Sequence, residues 1–235
     1  MNIFPHGGYY AIFNVAAPSD GFWPYLPVGT RDPWPQAEKQ ARQLLEAQPC
    51  CFQIRAKDAP ASLLFELGKR LAPLCREAGV PLCINDRLDV ALAVGASFVH
   101  LGQDDLPLRE ARRFLERANP PAGTVPMRIG ISTHSLSQAQ AAERDGADLI
   151  GFGPVFSTGT KLNPDPVVGL DALAEVVRTV KIPVVAIGGI DLNNIGAVAK
   201  TGVHAAAVIS AVQNAPDPTA AGRQVAAAFS RRPVE

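Results

Sequence analysis

Short apolar runs rich in β-branched residues recur along the chain, separated by longer stretches whose apolar residues repeat at helical spacing. The short runs predict strands over Tyr9–Asn14, Cys50–Arg55, Pro81–Asn85, Phe98–Gly102, Met127–Ser132, Leu149–Val155, Pro183–Gly188 and Ala205–Ser210. Most are too short for helices and apolar at consecutive positions, as a strand buried on both faces requires. The longer stretches predict helices over Pro35–Ala47, Pro60–Ala78, Leu88–Val94, Pro107–Arg117, Leu136–Asp145, Leu170–Val180, Leu192–Thr201 and Thr219–Ser230. In the second of these, Leu63, Leu64, Leu67, Leu71 and Leu74 recur at helical spacing and mark the face that packs on a sheet. Gly79, Gly95, Gly146 and Gly202 stand where helices end and suit the left-handed residue that terminates one.

Alternation of strand and helix implies a parallel sheet, because parallel neighbours need a long crossover between them. Eight such units predict an α/β fold, a (β/α)8 TIM barrel forming a single domain over residues 1–235. In that fold the active site lies at the C-terminal ends of the strands. The count alone does not close the barrel, and an open doubly wound sheet is the competing architecture. One segment breaks the rhythm. Pro18 to Pro35, just after the first strand, holds five prolines with Phe22, Trp23, Tyr25 and Trp34. Its place suits a lid or binding loop, and its composition equally suits a loop packed on its own aromatics or in a subunit interface. Residues 230–235 read as a frayed tail.

Hydrophobic residues make up 47% of the chain and charged residues 19%, which supports a sizeable core and argues against disorder. The 22 basic and 22 acidic residues cancel. No net field draws the protein to nucleic acid or an anionic membrane, so any phosphate must be recognised by local geometry. The four cysteines, Cys50, Cys51, Cys75 and Cys83, include no C-x-x-C pair and no second cluster to complete a zinc site. They read as buried free thiols of a reducing compartment, the cytoplasm. The start of the chain lacks the basic and apolar regions of a secretory signal. No apolar run approaches the ~20 residues that cross a membrane.

In a parallel barrel the residues just after each strand converge on one face. After the second strand, Gln53, Arg55 and Lys57 alternate and so share a side. Two cations and an amide pointing one way suggest an anion site, a solvated strand end being the plainer reading. After the third and fourth strands, Asn85-Asp86-Arg87 and His100-Leu101-Gly102-Gln103-Asp104-Asp105 bring Asp86 and Asp104 or Asp105 to neighbouring strand ends. Such carboxylates suit Mg2+, which takes one or two of them and completes its shell with phosphate oxygens and water. Asp105 equally suits the start of the following helix, where an acid is favourable without any metal.

After the fifth strand come Ser132, Thr133, His134 and Ser135. Their hydroxyls either bond a ligand or cap the next helix, and His134 is either an acid–base group or a structural histidine. After the sixth, Thr158-Gly159-Thr160-Lys161 is a short donor-rich loop without the Walker pattern. Gly188-Gly189-Ile190 and Val208-Ile209-Ser210 follow the seventh and eighth strands, where barrels of this kind commonly bind phosphate.

Taken in order, Gln53-Ile-Arg-Ala-Lys57, Ile84-Asn-Asp-Arg87, His100-Leu-Gly-Gln-Asp-Asp105, Gly130-Ile-Ser-Thr-His134, Gly153-Pro154 with Thr158-Gly-Thr-Lys161, Ala186-Ile-Gly-Gly-Ile190 and Val208-Ile-Ser210 resemble the thiamine phosphate synthase family over nearly the whole chain. The resemblance implies a transferase that condenses hydroxymethylpyrimidine diphosphate with thiazole phosphate, giving thiamine phosphate and diphosphate. It implies that Gln53, Ile54, Arg55, Ala56, Lys57, Asn85, Ser132 and Lys161 hold the pyrimidine diphosphate, with Arg55, Lys57 and Lys161 as the catalytic cations. Asp86 and Asp105 would bind Mg2+ on that diphosphate. Thr158, Gly159 and Thr160 would contact the thiazole phosphate, and backbone amides at Gly189, Ile209 and Ser210 would cradle its phosphate. The resemblance further implies that diphosphate would leave with a pyrimidine-stabilised cation as intermediate, which the thiazole nitrogen would attack. Such chemistry needs no nucleophilic side chain, and none is marked.

The sequence departs from the family pattern in places. The segment after the first strand is long, Asn14 stands where an acid is frequent, and Ser157 stands where proline commonly precedes Thr-x-Thr-Lys. Asn119–Pro126 reads as a small insertion. Two alternatives stay open. A thiazole tautomerase of the same barrel family would need the thiazole phosphate site, with His134 as proton carrier, but not the full Arg55, Lys57, Asp86, Asp105 and Lys161 set. A non-catalytic phosphate-binding sensor would have no use for that set. The expected partners are small phosphorylated molecules, and a homo-oligomer is left open.

Overall fold

The structure, a computed structural model, describes residues 3–4, 8–15, 34–57, 59–118, 125–159 and 165–230. Eight strands appear among them: β1 (Tyr9–Asn14), β2 (Cys51–Arg55), β3 (Leu82–Asn85), β4 (Phe98–Leu101), β5 (Arg128–Thr133), β6 (Leu149–Phe152), β7 (Val184–Ile187) and β8 (Ala205–Val208). The helices are α1 (Trp34–Leu45), α2 (Ala61–Ala78), α3 (Leu88–Ala93), α4 (Leu108–Arg117), α5 (Leu136–Arg144), α6 (Gly169–Thr179), α7 (Ile195–Lys200), α8 (Ser210–Gln213) and α9 (Pro218–Ser230).

Every strand pairs in parallel with its sequence neighbours, and β1 also pairs with β8 through Tyr10↔Ala207 and Ala11↔Val208. The sheet is therefore a closed barrel, and the open doubly wound alternative is ruled out. Strand parity divides the core in two. Tyr10, Ile12, Cys51, Cys83, Phe98, Leu149, Val185, Ala205 and Ala207 fill the barrel interior. Tyr9, Phe13, Phe52, Ile54, Ile84, Leu101 and Ile129 face outward under the helices. Inside, the small Ala205 and Ala207 stand beside the large Tyr10, so bulky and short side chains share one lumen. Outside, the Phe13 and Phe52 rings stack with centroids 6.1 Å apart.

The leucine stripe of α2 does what its spacing predicts. Leu63, Leu67 and Leu71 are fully buried, each contributing about 1.5–3 kcal/mol relative to exposure. Leu67→Ala alone would cost about 2–5 kcal/mol. The helix stops at Gly79, whose φ of 68° lets its N–H turn back to the Arg76 carbonyl.

Some boundaries differ from the sequence pattern. The predicted start of α7 at Leu192 is displaced because Asp191 and Asn194 close a turn first. Asp191 N–H donates to Asn194 Oδ1 at 2.9 Å, and Asn193 N–H donates to Asp191 Oδ1 at 2.8 Å. Ser210, read as the end of a strand, instead begins the short helix α8. Of the segment Pro18–Pro35, residues 18–33 lie outside the described residues, while Trp34 and Pro35 open α1. Trp34 is buried there with the Arg70 guanidinium 4.8 Å from its ring centroid. Most of Asn119–Pro126 and of the tail also lies outside the described residues.

Candidate active site

A cavity of about 990 Å³ opens at the C-terminal ends of the strands. Side chains supply one half of its wall. Gln53, Arg55 and Lys57 all line it, as their alternation along β2 predicts, together with Asn85, Asp86, Asp105 and Ser132. Ile54 and Ala56 do not: Ile54 is fully buried among the outward-facing core residues, and Ala56 packs against the same core. Any contact from these two would come from backbone. Gln53 is buried, its Nε2 donating to Tyr10 Oη at 3.0 Å and to Cys83 Sγ at 3.5 Å.

Asp86 has a φ of 63°, a left-handed conformation that costs a residue with a side chain about 1–3 kcal/mol and clusters at functional sites. Two bonds hold it there. Its N–H donates to the His100 carbonyl at 2.7 Å, and the next residue's N–H returns to the Asn85 carbonyl at 2.8 Å. The carboxylate lies 3.6 Å from Lys57 Nζ and within hydrogen-bond reach of Asp105. Burial first, then the charge of Asp105, raises its pKa to about 6, against the pull of Lys57 and Arg55. Two carboxylates this close form a site that a cation would relieve.

Asp105 does not cap the following helix. The helix α4 starts at Leu108, with Pro107 in the cap position and no side-chain cap. Instead, Asp105 Oδ2 accepts from the Gly102 N–H at 2.6 Å and closes its own loop. Among the described residues no three His, Cys, Asp or Glu side chains could hold a metal ion together. A cation here would have Asp86 and Asp105 and would take its other ligands from water and bound phosphate, the donor set Mg2+ prefers.

The hydroxyls after β5 divide their work. Ser135 caps α5, its Oγ accepting from the Gln138 N–H at 3.2 Å, and Thr133 donates to the Gly151 carbonyl at 3.0 Å. Ser132 is left facing the cavity, 3.0 Å from His100 Nε2. Burial pushes the His100 pKa down to about 4, so the imidazole that steadies this hydroxyl is neutral at physiological pH. His134 Nδ1 lies 2.6 Å from the Gly153 carbonyl and Nε2 lies 3.4 Å from Asp165 Oδ2, joining the end of β5 to the connection after β6.

Glycines, short side chains and exposed backbone N–H groups supply the other half of the wall. Gly153, Pro154, Thr158, Gly159, Gly188, Gly189, Ile209 and Ser210 line it. The ends of β6 and β7 interlock: Val155 N–H donates to the Ile187 carbonyl and Phe156 N–H to the Gly188 carbonyl, at 2.9 and 3.0 Å. Gly188 and Gly189 have φ of 97° and 65°, and a Cβ on Gly189 would stand 2.4 Å from the Ser157 carbonyl oxygen. These glycines are thus required by the interlock as well as by any ligand. Among the described residues the backbone N–H groups of Gly189, Ile209 and Ser210 have no protein partner. Thr160 and Lys161 lie outside the described residues.

A family profile described as thiamine monophosphate synthase matches residues 25–212. The chain belongs to the thiamine monophosphate synthase family. A thiamine-phosphate synthase of Anaeromyxobacter dehalogenans is 45% identical over 205 residues, which cover 87% of this chain and 86% of that protein. Another, of Roseiflexus castenholzii, is 45% identical over 77% of this chain and 76% of its own. The solved thiamine phosphate pyrophosphorylase of Pyrococcus furiosus superposes with a TM-score of 0.78 at 35% identity, covering 97% of this chain and 98% of that one. A 3-hexulose-6-phosphate synthase, at 18% identity and TM-score 0.58, shares the barrel alone.

Several residues of this thiamine monophosphate synthase family member escape a reading of strand ends. His100 and Tyr10 point into the lumen from within strands. The signal was present in the register: His100 pairs with Gly130, where a Cβ would stand 2.6 Å from its ring. Gln103, whose Nε2 donates to the Ser132 carbonyl at 2.5 Å, carries no such mark.

Proposed function

We propose that the protein is a thiamine phosphate synthase: it joins hydroxymethylpyrimidine diphosphate to thiazole phosphate and releases diphosphate. The observation that carries this reading is one cavity with two unlike walls. A cationic and amide wall with paired carboxylates faces a wall of glycine and unpartnered backbone N–H groups. Family membership supplies the reaction class, and that reaction needs two anion sites of these kinds.

The bond to break joins the pyrimidine's methylene carbon to diphosphate oxygen, and the bond to form joins that carbon to the thiazole nitrogen. Arg55 and Lys57 hold the diphosphate and stabilise the charge it gains on leaving, with Lys161 as a third cation. Gln53, Asn85 and Ser132 hold and orient the same substrate. Asp86 and Asp105 would hold Mg2+, which when bound neutralises charge on the leaving diphosphate. Thr158, Gly159 and Thr160, with the N–H groups of Gly189, Ile209 and Ser210, seat the thiazole phosphate so that its nitrogen faces the reacting carbon. No helix among the described residues is long and apolar enough to cross a membrane. The four free buried thiols fit a reducing compartment, and we place the enzyme in the cytoplasm.

The test is a coupling assay with both substrates and Mg2+, following thiamine phosphate and diphosphate together. The reading predicts equal formation of both, abolished by chelating the metal. No product from folded protein that still binds thiazole phosphate would favour the tautomerase or the sensor.

A further inference from the structure

Behind Arg55 lies a relay that the chemistry above does not use. The guanidinium donates from Nη1 to Asn14 Oδ1 at 2.6 Å. The Asn14 backbone is gripped twice by one side chain: its N–H donates to Gln213 Oε1 at 2.8 Å, and its carbonyl accepts from Gln213 Nε2 at 2.9 Å. Gln213 closes α8, and its own N–H donates to the Ile209 carbonyl at 2.8 Å. Bonds therefore run from Arg55 through Asn14 and Gln213 to Ile209, from one wall of the cavity to the other. Arg55 and Ile209 line the cavity; Asn14 and Gln213 stand behind them.

The residue types matter. A carboxamide both donates and accepts, so Gln213 satisfies the N–H and the carbonyl of Asn14 together, which no carboxylate or hydrocarbon could do. Asn14 offers Arg55 an acceptor without a formal charge. Among the described residues no carboxylate forms an ion pair with Arg55, whereas its neighbour Lys57 is paired with Asp86. Arg55 is thus oriented by a neutral acceptor, with no carboxylate in ion-pair contact among the described residues.

We propose that Asn14 and Gln213 are positioning residues that aim Arg55 into the cavity, and that the neutrality of Asn14 sets the affinity for a diphosphate. The inference rests on the reading that this cavity takes a diphosphate-bearing substrate. An aspartate at position 14 would keep the acceptor atom and the backbone grip, but its charge would compete with the ligand for the guanidinium.

Inorganic diphosphate with Mg2+ serves as the probe, titrated into the wild type, Asn14→Asp and Gln213→Leu, with thiazole phosphate as the control ligand. Asn14→Asp is expected to weaken diphosphate about tenfold, the scale of one added charge beside a partly exposed site. Thiazole phosphate affinity and thermal midpoint should hold. Gln213→Leu is expected to weaken diphosphate less, and to lower kcat as well as raise the KM for the pyrimidine substrate, because a misaimed Arg55 stabilises less of the charge that diphosphate gains on leaving. Unchanged diphosphate affinity in Asn14→Asp overturns the proposal. Equal loss of both ligands also overturns it and makes the relay a brace of the fold. A wild type that binds no diphosphate refutes the reading of the cavity itself, and this inference with it. Because Asn14→Asp is nearly isosteric, its outcome stands even if Gln213→Leu fails to fold.

Discussion

Between β2 and β4 the mouth of the barrel presents the cations and amides Gln53, Arg55, Lys57 and Asn85 with Asp86 and Asp105, whereas between β6 and β8 it is lined by glycines and short hydroxyl residues, with Asp165 and Asp191 beside them. Both walls bind anions in the proposed reaction, by opposite means. The first places side-chain charge where a leaving diphosphate accumulates it. The second fixes N–H groups through turns that cannot accept a side chain. A Cβ on Gly153 would meet the Ile187 carbonyl oxygen at 2.0 Å, and one on Gly188 would meet Pro154 Cα at 2.5 Å. An edit to the glycines therefore changes fold and site together, while on the other wall a charge-only edit such as Asp105→Asn can keep the loop's hydrogen bond.

The largest expected effect falls on the side-chain wall. Asp105→Ala should lower kcat by about 10²–10³, the scale of losing one preorganised electrostatic group, while thiazole phosphate binding stays within about twofold of wild type. Asp105→Asn sharpens the comparison, because it keeps an acceptor for the Gly102 N–H and removes only the charge. Matching losses in the two variants, read by steady-state kinetics, would assign the effect to charge and not to loop closure.

Gly189→Ala should act on the other wall. Its φ of 65° and the 2.4 Å approach to the Ser157 carbonyl predict destabilisation of about 1–3 kcal/mol. The KM for thiazole phosphate should rise more than the KM for the pyrimidine substrate. Thermal unfolding together with both KM values checks this. A stable variant with unchanged thiazole phosphate KM would break the division between the walls.

How far each wall is legible in the sequence follows from the same contrast. Strands buried on both faces leave continuous apolar runs, so the barrel and its order could be predicted. Gln53, Arg55 and Lys57 announce a shared face by alternation alone. Asp105 does not announce itself, because an acid before Leu106-Pro107 suits a helix cap until α4 is seen to start at Leu108. The glycines of the second wall look like ordinary turns. Only closure of the barrel shows that they let β6 and β7 interlock, and only the β4–β5 register shows why His100 needs Gly130 beside it.

The smallest effect concerns neither wall. Burial pushes the Cys75 thiol up to about 12 and raises Cys50 and Cys51 as well. Thiols held protonated in the fold contribute stability that is whole below the unfolded value near ~8.5–9. That stability is lost as pH rises toward the folded value of about 12. The unfolding midpoint should fall across that alkaline window, and all four thiols should react with a thiol reagent only slowly before denaturation. Rapid labelling of the native protein would contradict the burial.

The most direct test of a mouth with two dissimilar anion sites is a calorimetric titration of diphosphate and thiazole phosphate, each with and without Mg2+, into the wild type and Asp105→Asn. The account predicts that diphosphate binds only with the metal and fails in the variant, while thiazole phosphate binds both proteins alike and ignores the metal. Loss of both ligands in Asp105→Asn, or diphosphate binding indifferent to Mg2+, would contradict it.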